Sequence, residues 1–168
     1  RLIALAPASV QEMADFVSLG FELAFKYRNP AIILADGVIG QMMEKVVMPP
    51  FRPRKTEAEI IAECPWAAQG KLKSRKANVI TSLELRFQAK YRKIEENEVR
   101  YEEFHCDDAE YLLVAFGSSA RICQKVVEIA RAEGIKLGLL RPITLWPFPK
   151  KAIADYAEKV KGMLSVEL

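Results

Sequence analysis

His105-Cys106-Asp107-Asp108 puts an imidazole, a thiol and two carboxylates side by side, the groups from which metal centres and nucleophilic sites are made. Consecutive side chains at the mouth of a strand diverge, so these four cannot converge on one atom. His105 is the sole histidine, and Cys64, Cys106 and Cys123 are scattered without a CxxC pair. Local spacing therefore assembles neither zinc nor a thiolate-held iron–sulfur cluster. Paired carboxylates, a Ser-His-Asp order and a cysteine with a downstream histidine are missing, so no catalytic, cofactor or metal residue is assigned.

Two other stretches have chemical potential. Gly117-Ser118-Ser119 lies between an apolar run and a helical pattern, where free amides and the helix dipole favour an anion. It is neither GxGxxG nor a P-loop, so a structural turn is the leading reading and a nucleotide cradle the rival. Arg141-Pro-Ile-Thr-Leu-Trp-Pro-Phe-Pro149 combines three backbone-fixing prolines with Trp146 and Phe148. Subunit contact and packing on the chain's own sheet both remain open for Trp146.

The elements that must position these residues follow from periodicity. Leu2 to Leu5 reads as a strand ended by Pro7, and Ser9-Val-Gln-Glu12 is a capping box opening a helix. Val10, Met13, Ala14, Val17, Phe21, Ala24 and Phe25 form the stripe expected to face a sheet, and Asn29-Pro30 stops the helix. Ala31 to Ala35 is expected as a strand buried on both faces. Met48 to Ala77 is proline-punctuated and basic, an interdomain connector with a short helix over Glu57 to Ala62. A phosphate-binding role for this connector is the sharper alternative to a solvated linker.

A long helix follows, opened by Thr81-Ser-Leu-Glu84, with Leu83, Phe87, Tyr91, Ile94 and Tyr101 along one side. Its early lysines and arginines and late glutamates oppose the macrodipole, so tertiary contacts must hold it. Then come a buried strand from Tyr111 to Phe116 and a helix from Arg121 to Glu133, with Ile122, Val126, Ile129 and Ala130 inward and Gly134 as its stop. A strand at Lys136 to Leu140, a helix at Lys150 to Lys161 and a buried strand at Met163 to Leu168 complete the order. Strand, helix, strand, helix, strand describes a right-handed parallel unit.

Of 168 residues, 51% are hydrophobic and 28% charged, enough to bury a core. A net charge of +3 falls far short of a nucleic-acid stripe, and no run is long enough for a membrane span. The odd cysteine count argues against a secreted disulfide framework, making reduced cytoplasm the expected compartment. The chain opens on RLIALAP and closes on GMLSVEL, inside strands at both ends, so a slice of a longer polypeptide is expected.

LAPASVQEMADFVSLGFELAFKYRNPAIILADGVIGQMMEKVVMP, RYEEFHCDDAEYLLVAFGSSARICQKV and LGLLRPITLWPFPKKAI together resemble the alpha-type subunit of 2-oxoacid:ferredoxin oxidoreductases, in the 2-oxoisovalerate branch. Lys45 stands where that pattern has proline, which blurs the line to the 2-oxoglutarate branch. The resemblance implies an α/β protein: 1–48 as the tail of a thiamine diphosphate pyrimidine-binding domain, 49–77 as linker, and 78–168 as a parallel-sheet, three-layer transketolase C-terminal-like domain. It implies oxidative decarboxylation of a 2-oxoacid with coenzyme A to acyl-CoA, carbon dioxide and reduced ferredoxin. Thiamine diphosphate, magnesium and [4Fe-4S] clusters belong to the whole complex and none to this stretch. Partners implied are beta and gamma/delta-type subunits, ferredoxin and coenzyme A. Asp36, Gln41, Met42, Met43, Arg141 and Trp146 are expected near subunit contacts. A noncatalytic assembly module is the alternative from another functional class.

Overall fold

The computed structural model describes residues 1–51, 53–63 and 80–167. Cys64, Pro65, Arg52, Lys71, Lys73, Arg75 and Lys76 of the expected connector lie outside that set, as do the side chains of the Thr81–Glu84 box.

β1 (Ile3–Leu5) is wholly buried and runs parallel to β2 (Ala31–Ile33), with α1 (Val10–Tyr27) as the crossover. Ser9 caps α1, its hydroxyl accepting from the Glu12 amide at 3.2 Å. The Glu12 carboxylate reaches back to the Ala8 amide at 2.8 Å, one residue beyond the usual capping-box partner. Arg28 ends the helix at φ 46, and buried Asn29 locks the exit by donating to the carbonyls of Arg1 and Pro30.

The stripe of α1 that meets the sheet differs from the expected one. Phe16, Gly20 and Leu23 are buried, with Leu19 and Tyr27 packed beside them, while Val17, Phe21 and Phe25 are exposed. α1 is apolar on two faces, and periodicity finds both without saying which one the sheet covers. β2 is also shorter and less buried than expected. It is an edge strand of a sheet ordered β2-β1-β6, half-buried throughout, and Leu34 beyond it is exposed.

Past α2 (Gly37–Gln41), residues 42–51 have no regular secondary structure, and α3 (Glu57–Glu63) supplies the short connector helix. α4 (Ile80–Asn97) stops before Tyr101, which the expected stripe had included; Tyr101 instead opens β3 (Tyr101–Phe104). The glutamates after Lys93 oppose the dipole at a helix carboxyl end, which favours leaving the helix there.

β4 (Tyr111–Ala115), α5 (Gly117–Ala132), β5 (Leu137–Pro142), α6 (Lys150–Ala157) and β7 (Gly162–Val166) build the second sheet, ordered β3-β5-β4-β7. β4 is parallel to both β5 and β7, and β3 closes one edge antiparallel to β5. α5 covers one face over Leu113, Ala115, Ala120, Cys123, Val127 and Leu139. α6 covers the other, its Ile153 and Tyr156 packing with Val160 beyond it and Met163 of β7 against Cys106, Leu112 and Leu140. The expected three layers are present. Gly138 is required in β5, because a Cβ there would lie 2.8 Å from the His105 carbonyl oxygen.

α5 corrects its sequence reading in the same way as α1. It begins at Gly117, and Ile122, Val126 and Ile129 face solvent while Ala120, Cys123 and Val127 face the sheet. β7 is an edge strand with Leu164 exposed, not a buried one. Between β5 and α6 the proline-rich stretch contains a further strand, β6 (Thr144–Trp146), which leaves the second sheet and pairs antiparallel with β1.

Candidate functional site

Three features singled out in the sequence, Asp36, the Gly117-Ser118-Ser119 turn and Arg141, gather where the two sheets meet. Asp36 ends the β2 exit, and one of its oxygens accepts from the Ile39 amide at 2.9 Å, capping α2. The other accepts from the Ser118 amide at 3.0 Å, at the amino end of α5. The anion favoured by the Gly117-Ser118-Ser119 turn is thus a side chain of the same polypeptide. Hydrogen bonding from Ser118, then from the amides of Ile39 and Val38, holds the Asp36 carboxyl below the usual carboxylate range, against the opposing effect of burial. Gly117 sits at φ +60, and a Cβ on it would come within 3.2 Å of the Asp36 carboxylate. Only glycine occupies that conformation without strain.

Arg141 crosses the same seam with its side chain 6% exposed. It donates to Glu12 of α1 at 2.5 Å and to Glu102 of β3 at 2.8 Å, a bridge from one sheet to the other. Its Nε is buried with no partner among the described residues, beside a cavity of about 150 Å³ lined by Ser9, Arg121 and Gln124. Glu44 joins this network, pairing with Arg121 at 2.5 Å and accepting from the Val10 amide at 3.3 Å. Four carboxylates, Glu12, Glu44, Glu102 and Asp36, for two guanidiniums leave this seam anionic, a poor reception for an added anion.

Trp146 packs inside the chain, edge-on to Tyr91 with ring centroids 5.7 Å apart, and joins the cluster of Ile3, Leu23 and Ile94. Its outer side and Phe148 line a cleft of about 580 Å³ with Tyr101, Lys150 and Asp155. Of the loop residues, Gln41 and Met43 are exposed and Met42 half-buried. His105 is at φ 53, with its carbonyl taking the Arg131 guanidinium, and Asp108 pairs with that same arginine at 2.7 Å. Cys106 turns inward to the Leu139 carbonyl, and burial raises its thiol pKa. The four neighbours do not converge.

Sequence reasoning missed Glu98. Its side chain is 3% exposed and collects Lys26 at 2.7 Å, Tyr27 at 2.6 Å and Arg100 at 3.3 Å. Burial pushes its pKa up, but these three donors outweigh that and leave it lowered. Among many surface glutamates it carried no sequence mark.

Comparison with known proteins places this geometry. The family described as pyruvate flavodoxin/ferredoxin oxidoreductase, thiamine diphosphate-binding, matches residues 1–105, and pyruvate:ferredoxin oxidoreductase core domain II matches 109–168. A ketoisovalerate oxidoreductase subunit VorB from Methanothermobacter marburgensis is 49% identical over the whole chain, which covers 49% of that relative. A 2-oxoglutarate synthase subunit KorA from the same organism is 28% identical, again over the whole chain and 53% of its own length. In fold, the chain resembles 2-oxoglutarate:ferredoxin oxidoreductase from Magnetococcus marinus, with a TM-score of 0.74 at 17% identity, covering 99% of this chain and 35% of that one. The chain spans about half the length of the curated relatives it matches.

The described residues offer no built site for the metal-bound diphosphate of the cofactor this family implies. A metal-bound diphosphate needs oxygen ligands and free amides. Among the described residues no group of three His, Cys, Asp or Glu is placed to hold a metal ion, and the amino end of α5 is filled by Asp36. What these residues do is join two sheets through buried charge. The match across residues 1–105 makes the chain a member of the pyruvate flavodoxin/ferredoxin oxidoreductase, thiamine diphosphate-binding family.

Proposed function

We propose that this chain is part of a 2-oxoacid:ferredoxin oxidoreductase acting on 2-oxoisovalerate. The reaction cleaves the bond between carboxylate and carbonyl carbon, releases carbon dioxide and joins the acyl carbon to the sulfur of coenzyme A. The electron pair leaves one electron at a time to ferredoxin. The observation that carries the substrate is the 49% identity to a ketoisovalerate oxidoreductase subunit along the full chain, against 28% to a 2-oxoglutarate synthase subunit. A 2-oxoglutarate-specific enzyme is the nearest rival.

Within that enzyme this stretch acts as scaffold and interface, without cofactor ligands of its own. Thiamine diphosphate and magnesium are assigned to the rest of the complex, and [4Fe-4S] clusters to partner chains, since Cys106 and Cys123 are buried in separate clusters. Beta and gamma/delta-type subunits, ferredoxin and coenzyme A are its proposed partners, and the cytoplasm its compartment. Gln41 and Met43 would touch a neighbouring subunit directly, with Asp36, Met42, Arg141 and Trp146 supporting that surface from behind. The seam supports an assembly role, because its charges are spent on joining sheets.

The test assays the assembled enzyme for coenzyme A-dependent ferredoxin reduction with 2-oxoisovalerate, 2-oxoglutarate and pyruvate in turn. The expected preference is for 2-oxoisovalerate; a higher kcat/KM for 2-oxoglutarate would move the assignment to the other branch. Calorimetric titration of the 168-residue chain alone with thiamine diphosphate should give no stoichiometric heat.

A further inference from the structure

Among the described residues the chain crosses between the two sheets three times, from β2 to β3, from β5 to β6 and from β6 to β7. A hinge would need a few residues at such crossings whose φ and ψ can change. The first two crossings are instead bonded to each other. The β3–β5 ladder sets Tyr101 opposite Pro142, and pairing continues past its last rung. The Arg100 carbonyl accepts from the Ile143 amide at 3.0 Å and from the Thr144 amide at 3.1 Å. The Thr144 hydroxyl oxygen accepts from the Arg100 amide at 2.9 Å, and the hydroxyl donates to the Arg100 carbonyl at 3.3 Å. Thr144 is fully buried, so breaking these bonds would leave polar groups unmet.

Ile143 is the single residue between β5 and β6. Its amide is tied to the entry of β3, and its carbonyl accepts from the Ala6 amide at 2.8 Å, just past the end of β1. Along the third crossing Pro147 and Pro149 fix φ. Side chains brace the same joint from its flanks. Arg141 spans Glu12 and Glu102, Glu98 gathers Lys26, Tyr27 and Arg100, and Asp36 accepts from the first turn of α5.

We propose that the two sheets move as one rigid body, with Thr144 as the positioning residue that locks the angle between them. A displacement of the Asp36 exit from β2 is then passed to α5 and the second sheet, not absorbed at the seam. Any closing movement of the assembled protein turns on a point outside this joint. The inference needs neither the substrate nor the partners proposed above.

The experiment uses the complete subunit, with nitroxides carried on a non-canonical amino acid at the positions of Asp15 on α1 and Lys125 on α5, and reads their separation by pulsed electron spin resonance. A control pair, at Lys125 and Lys151 on α6, stays within the second half. The pair across the seam should show one distance, distributed no more broadly than the control. Thr144→Val keeps the side chain's shape but removes both bonds of its hydroxyl. It should widen the cross-seam distribution at least about twofold and leave the control pair alone, while Thr144→Ser restores the narrow one. A threonine that merely stabilises the fold would lower the melting temperature of Thr144→Val without widening either distribution, and that result overturns the lock. A wild-type cross-seam distribution broader than the control, or split into two peaks, overturns the rigid joint. That arm requires no variant, so it decides the matter even where Thr144→Val does not fold.

Discussion

The two sheets are held in contrasting ways. The β3-β5-β4-β7 sheet is covered on both faces by helices that follow its own strands in sequence, and its two core clusters draw on residues from 104 onward. The β2-β1-β6 sheet has α1 from its own part of the chain, but its cluster borrows Ile94 and Trp146 from farther along. One half has a core of its own and the other has a shared one. The shared half should therefore be the more sensitive to changes at the seam, where buried charge reaches α1 from Glu98 and from Arg141 of β5.

The contrast breaks most visibly at Trp146. Trp146→Ala should cost about 3 kcal/mol by loss of core volume, with limited proteolysis opening residues 1–51 before 109–167. Equal cleavage of both halves would erase the distinction. A subtler comparison uses two neighbours on α5, Val127, which is fully buried, and Val126, which is 43% exposed. Val127→Ala should cost about 2 kcal/mol in chemical denaturation and Val126→Ala less than about 0.5 kcal/mol. The reverse order would restore the stripe first read from the sequence.

The smallest effect concerns Asp36 and acid. Because its folded-state pKa is lowered, its contribution is present above the unfolded carboxylate value and fades as pH falls through the folded one. Asp36→Asn keeps a cap for α2 but removes the charge facing α5. It should flatten the stability loss below about pH 4, and urea midpoints measured from pH 3 to 7 would show this. A slope like that of wild type would mean the charge contributes nothing at the joint.

Much of the fold was legible because turn chemistry is local. Ser9 did cap α1, Gly134 did end α5 at φ +84, and the strand–helix–strand order did give a parallel sheet. Facing was not legible. In α1 and α5 an apolar residue stands beside the one that turns in, as Val126 stands beside Val127, so period alone cannot rank the two faces. Ala31 to Ala35 read as a strand buried on both faces because its apolar run has that composition, yet among the described residues Ala31–Ile33 is half-buried at an edge. The joint at Gly117 was visible as an anion site but its occupant was not, since Asp36 lies 82 positions away. Glu98 was invisible for the same reason, its partners on α1 being brought to it by tertiary packing alone.

β1 is the middle strand of its sheet, and β6, one of its two neighbours, begins at Thr144. During synthesis, Ala4 leaves the ribosome about 140 residues ahead of Trp146, an interval on the order of ten seconds at ordinary elongation rates. Until then one side of the most buried strand in this half has no hydrogen-bonding neighbour. The nascent chain must keep that edge from capturing another polypeptide, so a chaperone that shields the early segment would raise its yield more than any adjustment to the later sheet.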